Sequence, residues 1–562
     1  MANFTKYFGL AGALVVFAGL ANAQPSTCSA VAPSTNIIRA EGTTELLPQI
    51  TVACAGTGVA GTVSLQIFLS PALPITSKVI NTGNGQTEAI AVIGGNSVNG
   101  TVSGSTLSFS GLASPGGAFN VVISNIRVNA SSVTVGTGVP PTVSATTFIS
   151  GSAGTITPIA LSYNNVSFVQ NGLSASKTNK TFTATANVFP NGTVSNGGTN
   201  NFVICNGYSP KGDGVNLITG GNAGKSLAFA VQINENFASA FKTAADEISQ
   251  VVNSNAVVDG TRLSVNFANV PANVALYVPN GAITANGGVD VAQIQLTGSA
   301  AGTAFAGVTG STSSSITSGT GLASGTTPAL GVSGNTTGLA QVSISSGSGS
   351  AVFEVVKDDL NNLDTFNIPV FIVTSANAVA GSATAITATV TFAPVGSTAI
   401  PNFAVTSSSN TVTGSTFNLC TTSLLFPFTT NQLGFDTGLA ISNTSTDPFG
   451  GSGATAQAGT CTLNFYGAGA PSPSNVVTPS VPSGTTYTGV VSGLAPGFQG
   501  YIIAQCAFQY AHGFAFITDG VGANGGLSQG YLAGIIPDVN QQARNANPLS
   551  QAGAGTGESL GN

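Results

Sequence analysis

His512 is the only histidine of this chain, and it precedes Gly526-Leu527-Ser528-Gln529-Gly530, a match to the GxSxG elbow that exposes a serine nucleophile. Acyl transfer would need that imidazole as base and Asp519 as the acid that orients it. The order is His, Asp, Ser where the elbow fold requires Ser, acid, His, and with 73 glycines in 562 residues one such match is expected by chance. His512, flanked by Tyr510, Phe514 and Phe516, reads as a structural residue, and no catalytic residue is assigned. One histidine also leaves zinc without its three or four ligands. Asp358, Asp359 and Asp364, with Asn361 and Asn362 between them, are a Ca²⁺ candidate. They lack the alternating acids, central glycine and closing glutamate of an EF-hand, and a solvated hairpin turn is the favoured reading.

Other matches dissolve in the same way. Glu41 and Glu45 are of the type a glycosidase pairs, yet no pocket partner is legible around them. Gly56-Thr57-Gly58-Val59-Ala60-Gly61 fits GxGxxG but leads into a strand-like run, where a dinucleotide needs a helix N-terminus. Thr219 to Ser226 falls one position short of a phosphate-binding loop. No cofactor is called for. The remaining binding candidate is a polar set, Asn431, Asp436, Asn443 and Asp447, with Tyr466 and Tyr501 as aromatic platforms for a sugar ring. The competing reading is turn chemistry, in which Asn and Asp bond their own backbone. The absence of Trp weakens the sugar reading.

The scaffold that must hold these residues is unusually poor in charge. Lys and Arg number 12 and Asp and Glu 18, and none of the four types occurs between Asp290 and Glu354 or between Asp364 and Asp436. Scattered cations cannot form the basic patch that nucleic acid or an anionic membrane requires. Lys6, the apolar run Phe8 to Leu20 and Ala21-Asn22-Ala23 have the three parts of a secretory signal, with cleavage expected before Gln24. No later segment reads as a transmembrane helix. Six cysteines, none in a CxxC pair, suit disulfides in an exported chain. Cys28 with Cys54 is a local pair, Cys461 and Cys506 lie on inward strand faces, and Cys205 with Cys420 follows by elimination.

Short Val, Ile, Thr and Phe runs between Gly, Ser and Asn clusters predict an all-β fold: tandem antiparallel β-sandwich (Ig-like) modules with one amphipathic helix in the second. The helix is expected near 237–252, where Phe237, Phe241, Ala244, Ile248 and Val252 recur at helical spacing with Asp246 and Glu247 off the stripe. Punctuation divides the chain into a signal at 1–23, a first module at 24–150 and a second at 151–298. A Gly/Ser/Thr-rich tract follows at 299–345, then a third module at 346–415, an aromatic module at 416–540 and a disordered tail at 541–562.

Several stretches carry a resemblance. Arg39-Ala40-Glu41-Gly42-Thr43-Thr44-Glu45-Leu46, Asn125-Ile126-Arg127-Val128-Asn129-Ala130, Asn236 to Lys242 and Gly260-Thr261-Arg262-Leu263 are four of them. The strongest are Leu424-Leu425-Phe426-Pro427-Phe428, Gly434-Phe435-Asp436-Thr437-Gly438, Ile441 to Ser445 and Gln509 to Phe516. Together they resemble an uncharacterised family of large exported bacterial proteins built of several β domains. That resemblance implies export and modular β architecture, and it implies no activity. The expectation is a non-enzymatic extracellular or cell-surface structural or adhesive protein, with self-association or surface glycans as partners. The alternative is a secreted glycan-binding protein that uses its C-terminal module.

Overall fold

The computed structural model describes residues 24–178, 189–190, 201–204, 208, 227–247, 259–279, 281–286, 289–297, 316–317, 321–322, 339–374, 379, 381, 384–396, 400–404, 410–448, 456–520 and 526–536. The expected signal, most of the Gly/Ser/Thr tract, the tail and Cys205 lie outside them. The described chain is nearly all β, in three bodies of sheet, as its β-branched runs and glycine turns require. Among the described residues no helix is long and apolar enough to cross a membrane.

The first body is one continuous sheet that curls over a single core. Its path begins at Thr27–Val31, passes through Ile50–Ala55, Phe119–Ser124 and the hairpins of Gln86–Ile93, Asn96–Ser103 and Thr106–Ser114, then through Gly61–Ser70, Thr142–Gly151 and Ile159–Gln170. It ends with Asn36–Arg39, which pairs in parallel with Ser167 to Gln170. Alternation places Val63, Leu65, Ile67 and Leu69 inward from one strand, so every second residue feeds the core. The break expected at 150 falls within a hairpin, because Thr142–Gly151 pairs with Ile159–Gln170 and the core runs on to Val169.

The second body merges the expected second and third modules. A sheet of Leu173–Lys177, Leu227–Glu235, Thr365–Val373, Ala275–Pro279 and Leu339–Val342 faces another that contains Val289–Thr297, Ser348–Lys357, Arg262–Ala268 and Thr387–Ala393. Strand Leu227–Glu235 takes its neighbour from Thr365–Val373, across the supposed boundary, and one core extends from Leu173 to Cys420. Thr365–Val373 is buried along nearly its whole length, and such a run needs cover on both faces that a module of about 70 residues cannot supply alone.

Of the span where the helix is expected, 237–243 is not helical, Ala244–Glu247 is, and 248–252 lies outside the described residues. The apolar spacing was real but serves a turn. The Glu235 carboxylate accepts the Ser239 and Phe241 amides at 3.0 and 2.8 Å, wrapping the chain around itself while Phe237, Ala240 and Phe241 enter the core. Burial raises the Glu235 pKa above the usual carboxylate range.

The third body is a sandwich of two sheets. One holds Asn475–Val477, Cys461–Ala468, Gln499–Cys506, Thr422–Thr430 and Gly534–Ile536; the other holds Thr486–Val490, Asp436–Asn443, Ala511–Thr518 and Ser528–Leu532. Two disulfides tie directly opposed residues on neighbouring antiparallel strands, Cys28 to Cys54 and Cys461 to Cys506, with Cα atoms 4.0 and 3.9 Å apart. Cys420 is fully buried and disulfide-bonded.

Candidate functional site: aromatic faces of the C-terminal sandwich

The polar binding set does not converge. Asn431 accepts the Gly497 amide at 2.9 Å, and Asp436 accepts the Ser492 amide at 3.0 Å and the Ser492 hydroxyl, so both fasten one corner of the sandwich. Asn443 sits at the other end of the strand that Asp436 begins, about 24 Å away at about 3.4 Å per residue. It is fully buried. Its amide donates to the Gln457 and Val481 carbonyls at 2.7 and 2.9 Å, and its oxygen accepts from Ser445. Asp447 lies half-buried on the loop beyond. The turn reading describes Asn431, Asp436 and Asn443, because a charge-poor surface leaves amides and carboxylates to hold its corners.

Tyr466 and Tyr501 do come together. They are register partners on Cys461–Ala468 and Gln499–Cys506, and their exposed rings stack with centroids 4.9 Å apart and planes 12° from parallel. The two residues remain 44% and 42% exposed on the outer side of the five-stranded sheet.

The opposite sheet reverses the usual pattern. On Ala511–Thr518 the core receives Ala511, Gly513 and Ala515, while His512, Phe514 and Phe516 point outward. The reason lies across the sandwich: a side chain on Gly513 would collide with Phe426 and Leu424, whose bulk already fills that layer. Phe514 and Phe516 remain 41% and 38% exposed, beside Leu532 at 64% and Val490 at 52%.

The same register separates the residues of the chance GxSxG match. Ser528 opens a strand and pairs with Thr518, while His512 pairs with Ser442 six residues along, about 20 Å away. Of the Ca²⁺ candidates, Asp359 turns away while Asp358 and Asp364 stay close enough to repel each other. Asp359 is exposed and accepts from Asn361 and Asn362 in its own turn, whereas Asp364 is buried and donates its amide to Glu235. Among the described residues no group of three or more His, Cys, Asp or Glu is arranged to hold a metal ion.

Burial pushes the Asp358 carboxyl up to about 7, with Asp246, Glu235 and Asp364 adding repulsion and Lys242 opposing it. Its unfolded value is about 3.9, so the native state holds the proton more firmly and stability falls as pH rises from about 4 through 7. Asp358→Asn should match the parent at pH 4 and exceed it by about 1–2 kcal/mol at pH 8, after allowance for solvent screening. Thermal melts across that range check this, and identical curves at pH 8 would refute it.

Charge that sequence reasoning could not place is gathered where the first and second bodies meet. Three of the four arginines, Arg39, Arg127 and Arg262, are fully buried. Arg39 leaves the first sheet and binds Glu45 at 2.8 Å, Glu247 at 2.7 Å, the Ala240 carbonyl at 3.0 Å and the Thr261 hydroxyl at 2.9 Å. Its guanidinium lies 4.9 Å from the centre of the Phe403 ring. Arg127 pairs with Glu88 at 3.1 Å and donates to the Glu247 carbonyl at 2.7 Å. Burial works against the Arg39 charge, but Glu247 and Glu45 outweigh it and hold its pKa above the ordinary value. Burial likewise opposes the Glu247 charge, and Arg39, Lys242 and Arg127 reverse the balance and lower its pKa. Glu41 accepts the Gly172 amide at 2.9 Å, so Glu41 and Glu45 are joint residues with separate partners.

No protein-family model matches this chain, and no curated protein matches it. Solved structures similar to parts of it include a non-cellulosomal cohesin from the archaeon Archaeoglobus fulgidus, at 11% identity over 26% of this chain and 92% of that one, with a TM-score of 0.15. The major pilin subunit BcpA of Bacillus cereus aligns at 9% identity over 84% of this chain and 94% of its own, with a TM-score of 0.18. The serine-rich repeat adhesion glycoprotein Srr1 of Streptococcus agalactiae aligns at 8% identity over 71% and 97%, with a TM-score of 0.17. Such scores carry no functional argument.

Proposed function

We propose that this chain is an exported, non-enzymatic structural or adhesive protein of the cell surface or extracellular space. The observation that carries the reading is the placement of charge: Arg39, Arg127, Glu45, Glu88 and Glu247 are buried holding sheet to sheet, while the large side chains left exposed on the third body are aromatic and aliphatic. A joint built this way transmits load between sandwiches, and the disulfides brace the sheets at either end. The paired cysteines also support an oxidising compartment. The family resemblance in the Arg39 to Leu46 and Gln509 to Phe516 stretches is consistent with export. Fractionation of the producing cells tests the proposal. Recovery in the envelope or matrix, with Gln24 as the first residue, is expected; recovery in the cytoplasm with free thiols would overturn it.

A second reading rests on the stacked Tyr466–Tyr501 pair, which supports recognition of a neutral glycan. Between Lys357 and Arg544 the chain has no cation, so an acidic sugar would find no counter-charge. Tyr466→Ala and Tyr501→Ala are each expected to weaken binding on a glycan array about tenfold, as loss of one stacking surface worth about 1.4 kcal/mol implies. An array on which the parent binds no neutral glycan removes this reading.

A further inference from the structure

We propose that Tyr466 and Tyr501 are a modification site at which one-electron oxidation joins the two rings by a carbon–carbon bond, forming a dityrosine staple between neighbouring strands. Composition directs oxidation to tyrosine. The chain has no Trp, its single Met is the first residue, and the described cysteines are disulfide-bonded, so the side chains that ordinarily give up electrons first are missing. Placement then selects the pair. Among the described tyrosines only Tyr466 and Tyr501 are exposed. Tyr163 and Tyr510 are buried, and the hydroxyls of Tyr163, Tyr277 and Tyr531 donate to the Thr51 carbonyl, the Gln341 amide oxygen and the Phe428 carbonyl.

Register supplies the geometry that coupling needs. The two residues are direct partners on antiparallel strands, so both rings rise from the same face of the sheet. In a biaryl the ring centres are separated by one carbon–carbon bond and two ring radii, slightly less than the 4.9 Å already present, so turning the rings about Cβ–Cγ closes the bond with little movement of the strands. The oxidant is hydrogen peroxide acting through a haem peroxidase. One peroxide takes an electron and a proton from each phenol and leaves as two waters. The two phenoxyl radicals pair their electrons in a bond between carbons ortho to the hydroxyls, and the hydrogens on those carbons move to the oxygens, which restores both phenols. Each radical has its partner already in place, so coupling within the chain outruns encounter with another chain. Cys461 and Cys506 bridge the same two strands about 17 Å away along them, on the inward face. The staple therefore closes the far end of a strand pair already bridged at the other.

The inference concerns the chemistry of the pure protein, so it stands or falls separately from the cellular location proposed above and from glycan recognition by the same pair. The full chain is treated with a haem peroxidase and hydrogen peroxide, and dityrosine fluorescence is read together with a peptide map under reducing conditions. The expected product runs as a single chain in denaturing electrophoresis, and its map joins the peptides of Tyr466 and Tyr501 with the loss of two hydrogen atoms. Tyr466→Phe and Tyr501→Phe should each lower the fluorescence at least about tenfold with unchanged melting, because a lone radical has lost its oriented partner. Tyr531→Phe is the control and should couple as the parent does. A parent without dityrosine overturns the inference, as does a map that joins other tyrosines, a ladder of cross-linked chains in place of the single one, or fluorescence that the Tyr466 and Tyr501 variants retain.

Discussion

Arg39→Met destabilises the joint between the first two bodies by about 3–5 kcal/mol, because it leaves Glu45 and Glu247 buried without their common cation. Methionine has similar length and cannot restore the contacts to Ala240 and Thr261. Hydrogen exchange of the amides in 36–47 and 259–263 reads the effect locally, which matters because three bodies need not unfold in one transition. Glu247→Gln should cost less, since Arg39 keeps Glu45, and the two changes together should cost less than their sum. Exchange rates at the joint that Arg39→Met leaves unaltered would refute this account of the buried charge.

Removing the C-terminal disulfide has the next largest expected effect. Cys461 and Cys506 close a loop with a sequence separation of 45, for which chain entropy predicts about 4 kcal/mol, against about 3.5 kcal/mol for Cys28 and Cys54 at a separation of 26. In Cys461→Ala/Cys506→Ala the C-terminal sandwich should therefore melt well before the rest of the chain. The parent treated with reductant should show the same early transition. Melting curves of the double variant that coincide with those of the parent would show that this bridge does not contribute to thermal stability.

The joint draws its charged residues from stretches far apart in the chain. Arg39, Glu41 and Glu45 come from one stretch, Arg127 from a second, and Thr261 and Arg262 from a third. Period and composition do not say which carboxylate meets which guanidinium. Helical spacing leaves Glu247 off the apolar stripe, on the side expected to face solvent, whereas the folded chain brings it to Arg39. The tyrosine pair was legible as two aromatic residues, but its stacking depended on a register that placed position 466 opposite position 501.

By itself the sequence determined the all-β class, the strand runs and the pairing of Cys28 with Cys54 and of Cys461 with Cys506, because alternation and turn chemistry act over a few residues. Tertiary structure decided what lies far apart in the chain. It joined strands 227–235 and 365–373 into one sheet, extended the first core through 159–170, and turned Phe514 and Phe516 outward. The physical reason is that a period of two fixes which residues share a face and leaves open which face is covered. That choice fell to the side chains opposite, where Leu424 and Phe426 already occupy the space beneath Gly513.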